Sequence, residues 1–208
     1  MQAMDTAWHP NIISLMAVSS IDTHVYIVME YFDSCSLKDS IKNRNSKIKD
    51  PEKKNRNYYI CLQISKAIAY LHELIPKIIH KDIKPEKILI NKHLIIKICD
   101  LGLSRICDLS LSALRTTIGH NLCGTPMYMA PEILVHNLPA KKSIWNVQPF
   151  TISRLKQVIS SEVKPDLERI PINLHNDISA CFNNNPNGRP KAVTLVKVLE
   201  RLWDGYRY

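Results

Sequence analysis

The chain has 208 residues, 45% hydrophobic and 23% charged, enough for one domain or two unequal lobes around a real core. Its formal charge of +9 would suit a nucleic-acid partner, but the lysines and arginines are spread along the chain. The densest group, Lys42 to Arg56, is mixed with Asn, Ser, Asp and Pro, as in a solvated loop and helix start, so no DNA partner is expected.

No apolar run approaches the ~18 residues that cross a bilayer. The start, Met-Gln-Ala-Met-Asp-Thr, lacks the basic and apolar stretches of a secretory signal. Cys35, Cys61, Cys99, Cys107, Cys123 and Cys181 form no C-x-x-C pair, which suits free thiols in a reducing compartment. A soluble, cytoplasmic protein is expected. The first of the five glycines is Gly102. A loop that wraps phosphate with bare backbone N–H groups needs glycine, so residues 1–101 hold no Gly-rich nucleotide loop.

In chain order, 11–18 and 24–31 are β-branched and aromatic, with Ser19-Ser20-Ile21-Asp22 between them, and predict an antiparallel hairpin. Ser36 to Ile41 predicts a short helix. Pro51 fits a first helical position, and Tyr59, Ile60, Leu62, Ile64, Ala67, Ile68, Tyr70 and Leu71 continue at helical spacing to about Glu73. Two short strands follow at Ile88–Ile90 and Ile95–Ile98, joined through Asn91-Lys92-His93. An irregular stretch is expected from Asp100 to Glu132, then helices at about 151–163, 173–183 and 191–203, punctuated by Pro165, Pro171, Pro186 and Gly188. A hairpin followed by a mostly helical body is an α+β layout.

Three segments concentrate chemistry: Ile78-Ile79-His80-Lys81-Asp82-Ile83-Lys84-Pro85-Glu86, Asp100-Leu101-Gly102, and Gly124-Thr125-Pro126-Met127-Tyr128-Met129-Ala130-Pro131-Glu132. In this order and separation they resemble the catalytic loop, metal-binding turn and substrate-anchoring segment of the protein kinase family. H-K-D-I-K-P-E, D-L-G and G-T-x-x-Y-M-A-P-E-x-L look most like receptor-interacting Ser/Thr kinases of the tyrosine-kinase-like branch.

The resemblance implies a kinase-like fold, with residues 1–32 a remnant of the N-lobe and 33–208 the C-lobe. It implies ATP and Mg²⁺ as cofactors and a protein substrate or signalling partner. Phosphoryl transfer needs a carboxylate at the attacking hydroxyl and another on the metal that bridges the phosphates. Asp82 would be the first and Asp100 the second. Lys84 would neutralise charge on the transferred phosphate, and Thr125 would hydrogen-bond Asp82 and Lys84. Met29, Glu30, Phe32 and Leu89 would form the nucleotide site, Met29 gating its back and Glu30 and Phe32 offering hinge backbone to adenine. His80 would pack structurally against the metal-binding turn, and Glu132 would pair with Arg189.

Three departures stand against full activity. The Gly-rich loop, its partner lysine and the regulatory-helix glutamate have no counterpart in the sequence. Lys87 stands where the family has a metal-binding asparagine, and an ammonium repels Mg²⁺. Lys141-Lys142-Ser143-Ile144-Trp145-Asn146-Val147-Gln148-Pro149-Phe150 passes from K-S-x-W to P-F without the apolar helix expected there, implying an internal deletion near 143–148. Two readings stay open: a Ser/Thr kinase impaired in this chain, and a catalytically inactive module that acts by protein binding. A basic nucleic-acid-binding module ranks behind both.

Overall fold

The computed structural model describes residues 8–44, 53–101, 105–107, 125, 128, 130, 167, 168 and 170–204. The architecture is α+β. The chain divides into two compact units, one of Met1–Ser112 with Ala192–Tyr208 and one of Ala113–Lys191. Among the described residues no helix is long and apolar enough to cross a membrane.

In the first unit, β1 (Leu15–Ile21) and β2 (His24–Met29) form the expected antiparallel hairpin. Its turn is tighter than the sequence suggests. Ser19 and Ser20 stay in the ladder, and only Asp22 and Thr23 turn the chain, Asp22 at φ 54°. A short polar side chain tolerates that left-handed conformation. The first strand also starts later than expected, because Ile12 and Ile13 are buried elsewhere. Ile12 makes a parallel bridge to Ile98, and the Ile13 N–H donates to the Ile98 carbonyl at 2.9 Å.

β3 (Cys35–Ser36) leads directly into α1 (Leu37–Arg44). The Ser36 hydroxyl accepts the Asp39 N–H at 3.1 Å, satisfying a donor that the helix itself leaves open. α2 (Lys53–Glu73) has the predicted helical stripe: Ile60, Ala67 and Leu71 are buried, with Ile64 and Ile68 packed beside them. Its expected first residue, Pro51, lies outside the described residues. α2 packs against a core of Ile12, Ile78, Ile88, Ile90, Ile96, Ile98 and Leu101.

Four of these isoleucines come from β5 (Ile88–Ile90) and β6 (Ile96–Ile98), an antiparallel pair to which β3 adds a third strand. Alternation sends Ile88, Ile90, Ile96 and Ile98 into the core and leaves Leu89 and Lys97, which face each other across the ladder, on the opposite side. Asn91 closes the connection, its side-chain oxygen accepting the His93 and Ile95 N–H groups at 2.9 and 3.0 Å. The stretch after Asp100 is not wholly irregular. β7 (Arg105–Cys107) pairs antiparallel with β4 (Lys77–Ile79). α4 (Ala192–Asp204) lies along α2, where Tyr59 stacks on Trp203 at 5.0 Å between ring centroids.

In the second unit, α3 (His175–Cys181) is shorter than the predicted 173–183. It is entered through a 3-10 turn at Ile172–Leu174, and Phe182 leaves helical geometry before the run Asn183-Asn184-Asn185-Pro186. The predicted helix at about 151–163 and the Lys141–Phe150 junction lie outside the described residues.

Within the first unit, one buried polar knot ties Asn11, α2 and β6 together. The Gln63 side-chain oxygen accepts from the Asn11 amide (2.9 Å) and the Ile96 N–H (3.1 Å), while its Nε2 donates to the Leu94 carbonyl (2.9 Å). Gln63 and Asn11 are 6% and 8% exposed, so these groups have little access to water as a substitute partner. Gln63→Ala is expected to destabilise the chain by about 2–4 kcal/mol. Lys66→Ala, which breaks an exposed 2.8 Å pair with Glu200, should cost under about 1 kcal/mol. Urea midpoints of the two variants check the contrast.

Candidate active site

The loop that carries Asp82 is shaped by His80, which follows β4 and is 4% exposed. The His80 Nδ1 accepts the Asp82 N–H at 3.3 Å, and its Nε2 lies 3.1 Å from the Cys99 carbonyl. A ring nitrogen that accepts leaves the other to donate, so the imidazole is neutral with its proton on Nε2. Burial pushes the His80 pKa below 6.5 and outweighs the opposing effects of the Cys99 carbonyl, Asp100 and Asp82. Between His80 and Asp82 the backbone passes through Lys81 at φ 68°, and Asp100 sits at φ 66°. Both are non-glycine residues in the left-handed region, a strain that packed surroundings hold in place.

Asp82 is buried, 6% exposed, and its Oδ2 lies 3.0 Å from the Lys84 ammonium. A 3-10 turn at Pro85–Lys87 follows. The Lys87 N–H donates to the Lys84 carbonyl at 2.9 Å, and the Lys87 carbonyl accepts the Cys99 N–H at 2.9 Å. Lys87 is thereby held against the residue preceding Asp100, and its ammonium pairs directly with Asp100 Oδ2. The Asp100 hydrogen bond, outweighing some desolvation, raises the Lys87 pKa above its usual 10.5, and the Asp82 charge adds to the effect.

Of the residues expected at a nucleotide site, Glu30, Phe32 and Leu89 gather around Lys97 on the outer side of the β5–β6 ladder. Leu89 is its cross-strand neighbour. The Lys97 ammonium lies 2.7 Å from Glu30 Oε1 and 5.8 Å from the centre of the Phe32 ring. Glu30 is fixed further by Ser14, whose N–H donates to Oε1 at 2.7 Å and whose carbonyl accepts the Glu30 N–H at 3.0 Å. Burial raises the Glu30 pKa, but the bonds from Lys97 and Ser14 prevail and hold it below the usual value. Met29 stands at the end of β2 opposite Leu15 and is half-exposed. Motif reading missed Lys97, although the alternation Ile96-Lys97-Ile98 signals a side chain facing away from the core.

Thr125 belongs to the second unit, where its carbonyl accepts the Tyr128 N–H at 2.9 Å. Arg189 of that unit donates to the Asn183 carbonyl at 2.8 Å. Its expected partner Glu132 lies outside the described residues.

Asp100 supplies the donor type that a single Mg²⁺ ion takes, although Lys87 engages one of its oxygens. Asp100 offers a hard carboxylate oxygen and is 43% exposed, and Mg²⁺ takes only one or two protein carboxylates when phosphates and waters supply the rest. A second ion fits poorly, since Lys87 offers an ammonium where a second donor would be needed.

The sequence matches the protein kinase domain over residues 1–148, and the chain belongs to the protein kinase family. It is 30% identical over 221 residues to the human serine/threonine-protein kinase Nek5, covering 95% of this chain and 29% of that protein. It is 29% identical over 211 residues to the Arabidopsis thaliana serine/threonine-protein kinase CTR1, covering 93% and 25%. With the Dictyostelium discoideum probable serine/threonine-protein kinase fhkD, identity rises to 40% over 131 residues, 61% of this chain and 16% of that protein. The chain spans less than a third of the length of each of these curated relatives.

The His80 geometry carries a pH dependence. Protonation would remove the Nδ1 acceptor, so the folded state holds the proton less tightly than the unfolded state does. The stability contributed by His80 is complete above pH 6.5, the ordinary histidine value, and is lost as pH falls through the depressed folded value. Urea midpoints followed downward from pH 7.5 or so should fall more steeply for the unaltered chain than for His80→Asn. Parallel curves would contradict this account.

Proposed function

We propose that the chain carries the phosphoryl-transfer site of a Ser/Thr protein kinase, moving the ATP γ-phosphate to protein serine or threonine in intracellular signalling, with activity impaired in this chain. The observation that supports it most directly is the Asp82–Lys84 pair, set at 3.0 Å on a loop anchored by His80. In this reading the Asp82 carboxylate accepts the proton of the attacking hydroxyl, and Lys84 balances charge on the phosphate as it transfers. Adenine lies against Leu89 and the backbone of Glu30 and Phe32, while Lys97 keeps Glu30 in place. Asp100 would hold Mg²⁺, whose chemistry is to neutralise and bridge the phosphates. The subgroup we favour is the receptor-interacting kind of the tyrosine-kinase-like branch.

A second reading, an inactive kinase-like module that works by binding a protein, draws support from the Lys87–Asp100 pair, which places a cation on the metal carboxylate. Transfer of radiolabelled phosphate from ATP to mixed Ser/Thr peptides separates the two. The kinase reading expects slow incorporation that Asp82→Asn lowers by about 100-fold or more. Absence of incorporation by the correctly folded, unaltered chain would overturn it in favour of the binding module.

A further inference from the structure

We propose that the Lys87 ammonium is a built-in occupant of the divalent-cation position at Asp100, competing with Mg²⁺ there and weakening metal binding. The inference rests on the reading of Asp100 as the metal contact. Lys87 is not a surface lysine that happens to reach a neighbour. Its N–H is bound to the Lys84 carbonyl, and its own carbonyl takes both the Cys99 N–H at 2.9 Å and the Cys99 thiol at 3.4 Å. These bonds clamp its backbone to the residue next to Asp100, so the side chain starts beside the carboxylate that it pairs with. Lys87 is 27% exposed and Asp100 43%, so solvent reaches the pair and the backbone clamp, rather than burial, keeps the two groups together.

Charge balance points the same way. Asp82 and Asp100 contribute two negative charges, and Lys84 and Lys87, each paired with one of them, contribute two positive charges. A dication approaching Asp100 meets a cluster of four side chains with no net negative charge. It must either displace the ammonium or share the carboxylate with it at contact distance, where like charges repel strongly. Removing the Lys87 charge removes that competition and leaves the carboxylate in place.

The test uses Mn²⁺ alone as the probe, titrated into the full 208-residue chain without nucleotide, with free Mn²⁺ followed by electron paramagnetic resonance. The unaltered chain should bind more weakly than roughly 1 mM. Lys87→Met, which keeps an unbranched stem of similar reach, should bind at least about tenfold more tightly, equivalent to about 1.4 kcal/mol. Adding Asp100→Asn should abolish the gain, and Lys87→Arg should behave like the unaltered chain. Equal Mn²⁺ affinity for the unaltered chain and a folded Lys87→Met variant would overturn the proposal. If Lys87→Met does not fold, the unaltered chain still decides. Its Asp100 amide resonance must stay sharp at submillimolar Mn²⁺, and broadening there would overturn the proposal. Tighter Mn²⁺ binding by Lys87→Met without phosphate transfer by any variant would sustain this inference and remove the kinase reading. Transfer without a gain in Mn²⁺ affinity would do the reverse.

Discussion

His80 accepts the Asp82 amide through one ring nitrogen and donates to the Cys99 carbonyl through the other, with almost none of its surface exposed to solvent. The two aspartates are 18 positions apart in sequence, yet each is attached to an end of the same imidazole, Asp82 directly and Asp100 through its neighbour. The arrangement requires the ring to be neutral, and burial makes it so. It also requires β4 to deliver His80 at the correct height. That height is set by Ile78, which is fully buried among the isoleucines of β5 and β6. Packing, one tautomer and two left-handed backbone residues thus act together to hold a pair of carboxylates.

On that frame the electrostatics are unusually complete. Each carboxylate of the site has its own lysine, and the clamped backbone of Lys87 makes the second pairing a consequence of the fold. A protein kinase site holds its catalytic carboxylates for a hydroxyl and a metal. Here Asp100, the carboxylate proposed for the metal, is already engaged by an ammonium from within the chain. The face proposed for the nucleotide shows a comparable economy. Lys97, projecting from a strand whose other face is core, holds Glu30, faces the Phe32 ring and stands across the ladder from Leu89.

Much of this was legible in the sequence where the signal is local. The apolar period of α2 and the alternation of isoleucines in β5 and β6 each lie within a few residues of the structure they specify. The H-K-D-I-K-P-E segment and the start of D-L-G lie close together, joined through His80 and Cys99. What escaped was non-local. β4 and β7 are three residues each and pair across more than twenty positions, too short for either to show a period alone. Ile12 and Ile13 read as strand because they are β-branched, but the Asn11–Gln63 knot and Ile98 draw them into the core. The role of Lys97 depends on three partners distant in sequence, and no motif marks it.

The central claim is the proposal that one site, organised by His80, joins the Asp82–Lys84 pair, Asp100 and the Leu89 face for binding and transfer of phosphate from a nucleotide. Backbone amide chemical-shift mapping of the isotope-labelled chain with millimolar ATP tests it most directly. The account predicts shifts concentrated at Glu30, Phe32 and Leu89 and again over Asp82–Lys87 and Asp100. Shifts confined to the Lys38–Arg44 helix or spread evenly over exposed lysines, with those residues unmoved, would contradict it.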